Sequence, residues 1–168
     1  PNNWISFHED NSITLYPMFA ENRRKERKET VLQFIREHFN ITQINDLSYY
    51  EKSDKFLEGT GSMVLDRRYK IAYACLSPRT DIDVLNAFGE AMGYEVIPFS
   101  ASDEHGKPIY HTNVLMCVGD IFAVVCLEAI KDADERLMVR SVLEETNKDI
   151  IEISLAQMRH FAGKDRKS

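Results

Sequence analysis

The sequence is poor in the residues and patterns that mark several special classes of protein. Its 168 residues include 7 glycines, 5 prolines and 3 cysteines. These low numbers exclude a collagen-like chain, a low-complexity segment and a small disulfide-rich scaffold. No apolar run approaches the roughly 20 residues that cross a bilayer, so we expect no membrane partner.

Positively charged residues are also fewer than negatively charged ones. The chain has 21 lysines and arginines against 27 aspartates and glutamates, which gives a net charge of −6. Nucleic-acid-binding domains are usually basic, so we expect no nucleic-acid partner. The content of 43% hydrophobic and 29% charged residues is that of an ordinary soluble globular domain.

The three cysteines give no sign of disulfide bridges or of a metal site. Cys75, Cys117 and Cys126 lie in apolar, strand-like stretches, and no Cys-x-x-Cys pair occurs. Unpaired cysteines are typical of a reducing compartment, so we predict a cytoplasmic protein with three buried free thiols. The five histidines are scattered along the chain, and we therefore predict no metal and no cofactor.

A repeated alternation of strand and helix character runs through the chain. The apolar stretch 71–76 matches 122–127, and the strand-like stretches that follow, 94–100 and 148–154, also match. A third, fainter copy begins at Ser12. A period of about fifty residues predicts an α/β repeat architecture built from supersecondary units. Chance similarity between generic strand–helix–strand segments is the alternative.

Local patterns place the main elements within this repeat. Apolar residues at helical spacing predict helices over Glu21–Phe39 and Asp81–Met92, and Gly93 stands in the C-cap position of the second helix. A strand is predicted over 113–118, and it forms a hairpin with the stretch 121–127.

Five short motifs stand in a fixed order between these elements. They are Pro1-Asn2-Asn3-Trp4, Asn22-Arg23-Arg24-Lys25-Glu26, Leu57-Glu58-Gly59-Thr60-Gly61-Ser62, Ser77-Pro78-Arg79-Thr80 and Tyr110-His111-Thr112-Asn113. In this order and spacing, the chain resembles the guanidino-group-modifying enzymes. These include arginine deiminases, dimethylarginine hydrolases, amidinotransferases and agmatine deiminases. The bacterial citrulline-utilisation hydrolases and amidinotransferase-like proteins look most similar.

The resemblance runs from Pro1 to about Gly163 and implies the pentein fold of that superfamily. This fold is an α/β propeller of five strand–strand–helix–strand modules around a central channel. We expect about three of the five modules here, over residues 1–55, 56–103 and 104–163 of a single domain. The chain is therefore expected to be an internal fragment that can form homo-oligomers, with the nucleophilic cysteine beyond its end.

The resemblance also implies a hydrolase or amidinotransferase-like enzyme that reacts at the central carbon of a guanidino or ureido group. A thiolate adds, an amine or ammonia leaves, and water later hydrolyses the covalent intermediate. Glu58 matches the carboxylate that grips the substrate nitrogens, and His111 matches the general acid and base. Arg79 and Arg23 match arginines that bind the substrate carboxylate. For Arg23, the solvated start of a helix is an equal alternative.

Two asparagines depart from the pattern of the superfamily. Asn3 and Asn113 stand where many members carry substrate-binding aspartates, and Asn113 is expected on the same face of a strand as His111. Amides both donate and accept hydrogen bonds, so they suit a neutral ureido group such as that of citrulline. None of the three cysteines matches the nucleophile, and a non-catalytic binding protein of the same fold is therefore the competing interpretation.

Overall fold

The structure of the protein is a computed structural model that describes residues 3–162. In this range the chain forms three sheets of three strands, each built from one continuous stretch of sequence. The strands are β1 (Ile5–Phe7), β2 (Ser12–Leu15), β3 (Gln43–Asp46), β4 (Met63–Asp66), β5 (Ile71–Cys75), β6 (Glu95–Phe99), β7 (Met116–Val118), β8 (Phe122–Val125) and β9 (Asp149–Glu152).

Helices connect these strands. They are α1 (Glu21–Arg24), α2 (Glu29–His38), α3 (Gly59–Ser62), α4 (Ile82–Met92), α5 (Ala133–Glu145) and α6 (Leu155–Ala162). Three short 3-10 helices cover Ser48–Ser53, Thr112–Val114 and Leu127–Ala129. None of the helices within residues 3–162 is long and apolar enough to cross a membrane.

The three sheets share one topology. The first strand of each pairs antiparallel with the second, and the second pairs parallel with the third. A parallel pair needs a crossover connection, which α2, α4 and α5 provide in the first, second and third sheet. We call each sheet with its crossing helix a unit. The predicted α/β repeat is therefore confirmed, and the short β1 completes the first copy, in which the sequence showed no preceding strand.

Neighbouring units share their hydrophobic cores. Phe88 on α4 packs against the Tyr16 ring of the first unit, with ring centroids 6.0 Å apart. Val139 on α5 lies in one cluster with Tyr73 and Phe99 of the second sheet. The helices α4 and α5 therefore pack on the unit before their own as well as on their own sheet, and this fixes where the loops at the strand ends meet.

The helix predicted over Asp81–Met92 is confirmed as α4. Asp81 caps it, because its carboxylate accepts the backbone N–H groups of Asp83 at 2.9 Å and Val84 at 3.4 Å. Gly93 ends it with a φ of 67°, a left-handed conformation that glycine adopts at little cost.

The single helix predicted over Glu21–Phe39 is wrong, because the chain instead forms the separate helices α1 and α2. Contacts of two arginine side chains fix the chain where α1 ends and before α2 begins. The guanidinium of Arg24 donates to the carbonyl of Met18 at 2.8 Å, and that of Arg27 pairs with the Glu51 carboxylate at 2.9 Å. The Arg24 bond and the Arg27–Glu51 pair, which joins residues 24 apart in the sequence, outweigh the local helical spacing of the apolar residues.

Two further expectations need correction. The strand predicted over 113–118 begins only at Met116, because a 3-10 helix occupies 112–114. The backbone at Cys75 donates to the Thr112 hydroxyl at 2.7 Å, and this bond holds the segment out of the ladder. Cys117 is exposed on β7, so the prediction of three buried thiols is wrong for that residue.

Candidate active site

The side chains of Arg79 and His111 meet at the carboxylate of Glu58, and the three residues come from separate loops. Glu58 precedes α3, Arg79 lies between β5 and α4, and His111 precedes the 3-10 helix at 112–114. The Nε2 atom of His111 lies 3.0 Å from Oε2 of Glu58. The Nη1 atom of Arg79 lies 3.5 Å from the same oxygen. The structure thus brings together three of the residues that the sequence singles out.

The Glu58 carboxylate is fully buried yet well supplied with hydrogen-bond donors. Its side chain is 0% exposed, and its Oε1 atom accepts the backbone N–H of Phe19 at 3.2 Å. Burial opposes ionisation, but the bond from His111, the charge of Arg79 and the Phe19 N–H outweigh it and lower the pKa of Glu58. Glu58 is therefore a carboxylate at neutral pH.

Two buried hydroxyls hold the three loops in place. The Ser62 hydroxyl accepts the backbone N–H of Glu58 at 2.8 Å and donates to the carbonyl of Arg79 at 2.8 Å. The Thr112 hydroxyl, next to His111, donates to the carbonyl of Ser62. One connected network therefore fixes the backbone beside all three side chains.

The two glycines after Glu58 let Asn3 approach this loop. A Cβ atom on Gly59, whose φ is +45°, would lie 2.6 Å from the carbonyl oxygen of Asn3. A Cβ atom on Gly61 would lie 2.7 Å from Nδ2 of Asn3 and 3.1 Å from Cδ2 of His111. The Thr60 hydroxyl donates to Oδ1 of Asn3 at 3.3 Å. Asn3 thus lies beside the loop that carries Glu58.

Two aromatic rings flank the Arg79 guanidinium. Its central carbon lies 5.6 Å from the Phe19 ring centroid and 5.8 Å from that of Tyr110. Both rings are more than 40% exposed. A cation within about 6 Å of a ring centroid is attracted to the ring, so the two aromatic residues help to hold Arg79.

Solvent reaches the histidine from an open cavity of about 720 Å³. Tyr110 and His111 form part of its wall, and Met158 and Arg159 of α6 line it as well. The His111 side chain is 26% exposed, whereas its partner Glu58 is closed off from water. A ligand in this cavity can therefore reach the histidine.

The remaining predicted site residues are placed differently. Arg23 lies on α1, where its guanidinium pairs with Glu26 at 3.3 Å. Asn113 lies on the 3-10 helix at 112–114 and is exposed. The expectation that it shares a strand face with His111 is wrong, because no strand covers these two residues.

Cys75 and Cys126 lack the character of an activated thiol. Burial raises the pKa of Cys75 to about 11, and its Sγ atom donates to the Ile109 carbonyl at 3.4 Å. Burial also raises the pKa of Cys126. An attacking thiol needs a lowered pKa, so these two thiols are structural. Nor does any group of three His, Cys, Asp or Glu side chains in residues 3–162 stand ready to hold a metal ion.

Sequence reasoning missed several residues of this site. Ser62 and Thr112 stand inside the motifs, but a buried hydroxyl that links two loops has no sequence signature. Phe19 contributes through its backbone and its ring, and only the fold brings it to Glu58. Tyr110, directly before His111, was the one neighbour that sequence position could have suggested.

Solved structures of guanidino-modifying enzymes share this fold. ArgZ, an arginine dihydrolase from cyanobacteria, matches with a TM-score of 0.72 and 18% identity, over 95% of this chain and 24% of ArgZ. Its substrate-bound N-terminal domain matches with a TM-score of 0.70 and 18% identity, over 95% of this chain and 54% of that domain. Agmatine deiminase from C. jejuni matches with a TM-score of 0.54 and 13% identity, over 90% of this chain and 49% of the deiminase. These matches confirm the expected pentein fold.

This chain thus spans about half the length of that ArgZ domain and of the deiminase. A comparison with curated protein sequences found no match. A family model for eukaryotic N,N-dimethylarginine dimethylhydrolases, in contrast, matches residues 1–165, which is nearly the whole chain. With the fold and the family model in agreement, the chain belongs to the N,N-dimethylarginine dimethylhydrolase family.

Proposed function

We propose that this protein is a hydrolase that cleaves a C–N bond of a guanidino or ureido compound. Substrates of the arginine, citrulline or methylated-arginine type fit this proposal. The observation that carries it is the buried, ionised Glu58 carboxylate, which bonds to His111 beside an open cavity. Membership of a family of dimethylarginine hydrolases points to the same chemistry.

Glu58 would bind the nitrogen atoms of the substrate. A guanidinium or ureido group is planar and presents N–H donors that a carboxylate accepts well. Because Glu58 is shielded from water, each such bond is stronger than it would be in solution. The carboxylate would therefore fix the plane of the group and expose its central carbon to attack.

His111 would move protons during the reaction. The leaving amine must gain a proton, and the water that later attacks must lose one. The Nε2 atom of His111 bonds to Glu58 at 3.0 Å, and this contact orients the ring while one side stays open to the cavity. An oriented, accessible imidazole suits both transfers.

The nucleophile would be a cysteine thiolate. The ArgZ domain and the agmatine deiminase were both solved with substrate as cysteine-to-serine mutants, and another ArgZ variant is covalently bound to a reaction intermediate. These structures support a covalent route through sulfur. Burial holds the pKa of Cys75 and Cys126 above the ordinary value, and none of the three cysteines stands in a motif that matches the nucleophile, so we propose that the thiolate comes from a cysteine outside these 168 residues.

Other residues would set the orientation of the substrate. Arg79, and Arg23 if α1 faces the ligand, would hold a substrate carboxylate through their planar guanidinium groups. Asn3 and Asn113 would supply amide donors and acceptors, which favour a ureido group over a full cation.

The expectations about partners, cellular location and oligomeric state rest on the sequence. Its net charge of −6 supports the absence of a nucleic-acid partner. Its unpaired cysteines support a cytoplasmic location, and homo-oligomer formation stays a prediction. The competing non-catalytic interpretation is not favoured, because the family and the similar structures are those of hydrolases.

The test measures turnover of arginine, citrulline and dimethylarginine by the full-length protein. Both products of the reaction are quantified, namely the released amine or ammonia and the carbon-containing product. His111→Asn should lower kcat by about 10²–10⁴-fold, the usual effect of removing a proton-transfer group. Glu58→Gln removes the charged hydrogen bonds to the substrate and should lower kcat/KM by roughly 10–100-fold. Glu90→Gln and His105→Asn change exposed residues and serve as matched controls. No turnover of any of these substrates, or full activity in Glu58→Gln, would contradict the proposal.

A further inference from the structure

A buried histidine lies in the interface between the first and second units. His8 directly follows β1, and only 8% of it is exposed. On the side of the first sheet, its Nε2 atom lies 2.8 Å from the Ser6 hydroxyl and 3.2 Å from the Thr14 hydroxyl. On the side of the second unit, its ring packs against Phe88 of α4, with ring centroids 6.3 Å apart. The proposed reaction gives this imidazole no role.

The strand register places His8 at the position that Asp66 holds in the second unit. The His8 N–H donates to the carbonyl of Ser12, the first residue of β2, at 3.0 Å. Asp66 likewise pairs with Ile71, the first residue of β5. The buried Asp66 carboxylate is compensated by the Lys148 ammonium of the third unit at 2.8 Å. The interface between the second and third units thus shows what a charged group at this position requires.

A positive charge on His8 would lack such compensation. Its Nδ1 atom is buried and has no hydrogen-bond partner among residues 3–162. Arg67 and Lys70, in the turn between β4 and β5, repel a charged ring, and Asp10 in the turn after β1 opposes them only in part. Burial and the two cations therefore lower the pKa of His8 below its ordinary value.

The two tyrosines of this interface stay neutral at the pH values at which a histidine titrates. The Tyr16 hydroxyl bonds to that of Ser6 at 2.7 Å, and the Tyr94 ring centroid lies 5.5 Å from that of Phe88. Burial raises the pKa of both tyrosines. Met92 of α4 brings an uncharged sulfur atom to the first sheet. Among these groups, His8 is the one that changes charge near neutral pH.

We propose that His8 is an acid-sensitive switch in the interface between the first and second units. While neutral, the ring bonds to the Ser6 and Thr14 hydroxyls and packs against α4. A proton taken up from solvent places an uncompensated charge in this interface, which opens because water must reach the charged ring. The first unit also supplies the Phe19 N–H that Glu58 accepts, so opening of the interface weakens the support of that carboxylate.

Urea denaturation of the full-length protein at two pH values tests the switch. The folded pKa of His8 lies below its unfolded value of about 6.5, so its contribution to stability is complete above that value and is lost as the pH falls below it. Between about pH 7.5 and about pH 5.5, the unfolding equilibrium constant of the wild type should rise up to about tenfold more than that of His8→Gln. The glutamine stays neutral, and all other titrating groups contribute equally to both proteins.

Hydrogen exchange measures where the protein opens. Amide protection factors correct for the intrinsic pH dependence of exchange, and on acidification those of β2 and α4 should fall further than those of β8 in the third unit. In His8→Gln this difference between the units should disappear. His38→Gln changes an exposed histidine of α2 and is the matched control, which should behave like the wild type.

An NMR titration of the His8 ring supplies a measurement that does not depend on the folding of His8→Gln. The wild-type ring should titrate below the ordinary value of about 6.5. Arg67→Gln should raise the pKa of His8, because it removes a repelling charge. A ring that titrates at about 6.5 or above, or a stability difference below about twofold, would overturn the proposal. An equal loss of protection in β2, α4 and β8 of the wild type would also overturn it, because the effect would then be global unfolding.

Discussion

Replacing Ser62 by alanine should remove the hydrogen bonds that hold the backbone of Glu58 and Arg79 in place. The buried Ser62 hydroxyl accepts the Glu58 N–H and donates to the Arg79 carbonyl, each at 2.8 Å. Alanine removes both bonds and leaves two buried backbone groups without these partners. Each such loss costs about 1–3 kcal/mol, so the two together should lower the free energy of unfolding by about 2–6 kcal/mol.

The same change should lower activity beyond what the loss of stability explains. The bonds of Ser62 fix the backbone of Glu58 and Arg79, two of the three groups that meet at the carboxylate. A displacement of about 1 Å at a reacting group costs roughly 10²-fold in rate. We therefore expect kcat to fall by about 10–100-fold in Ser62→Ala, measured at a temperature where the variant is fully folded.

Urea denaturation and steady-state kinetics measure the two effects separately. Ser53→Ala is the matched control, because its hydroxyl is exposed and its loss should change stability by less than about 0.5 kcal/mol. A Ser62→Ala protein with unchanged stability would refute the hydrogen-bond reasoning. A protein that loses stability but keeps the wild-type kcat would refute the positioning role.

Three further predictions follow from buried groups. The pKa of Glu58 is lowered on folding, so its stabilising effect is present above its unfolded pKa of about 4.3 and is lost as the pH falls through the folded value. Glu58→Gln should flatten this acid-side fall in urea denaturation. Asp66→Ala should cost about 3–5 kcal/mol of stability, because it strips the fully buried Lys148 ammonium of its carboxylate partner at 2.8 Å; a loss below about 1 kcal/mol would be inconsistent with burial. A thiol reagent at neutral pH should modify the exposed Cys117 at once and Cys75 only after unfolding, since burial raises the Cys75 pKa to about 11.

The repeat could be predicted from the sequence because it rests on local hydrophobic patterns. Strand β5 is buried along its whole length, β8 buries Ala123 and Val125, and each strand pairs with a parallel strand through a crossing helix. Such positions require apolar residues at regular spacing, and this pattern is visible in the chain. The prediction of a single long helix over Glu21–Phe39 was wrong because contacts that no local pattern shows interrupt the helix. Its interruption depends on Arg24, which donates to the nearby Met18 carbonyl, and on Arg27, whose partner Glu51 lies 24 residues away in the sequence.

The candidate site was only partly predictable. The motif match identified Glu58, Arg79 and His111, but the contact between them depends on how the second and third units pack. Asn113 was misplaced because a hydroxyl bond at Thr112 replaces the expected ladder. A pattern of residue types cannot show such a bond, because the partner is a backbone group thirty-seven residues away, the sequence separation between Cys75 and Thr112.

The site depends on the packing of successive units rather than on any one of them. The backbone of Phe19 comes from the first unit, Glu58 and Arg79 flank strands of the second, and His111 precedes the third sheet. In a repeat protein each unit contacts its neighbours, so the loops that meet at one carboxylate must come from adjacent units. The charge of Glu58 is therefore compensated only when the packing between units is intact. For this reason we expect changes at the buried interface between the second and third units to reach the site through His111, even where they touch no ligand.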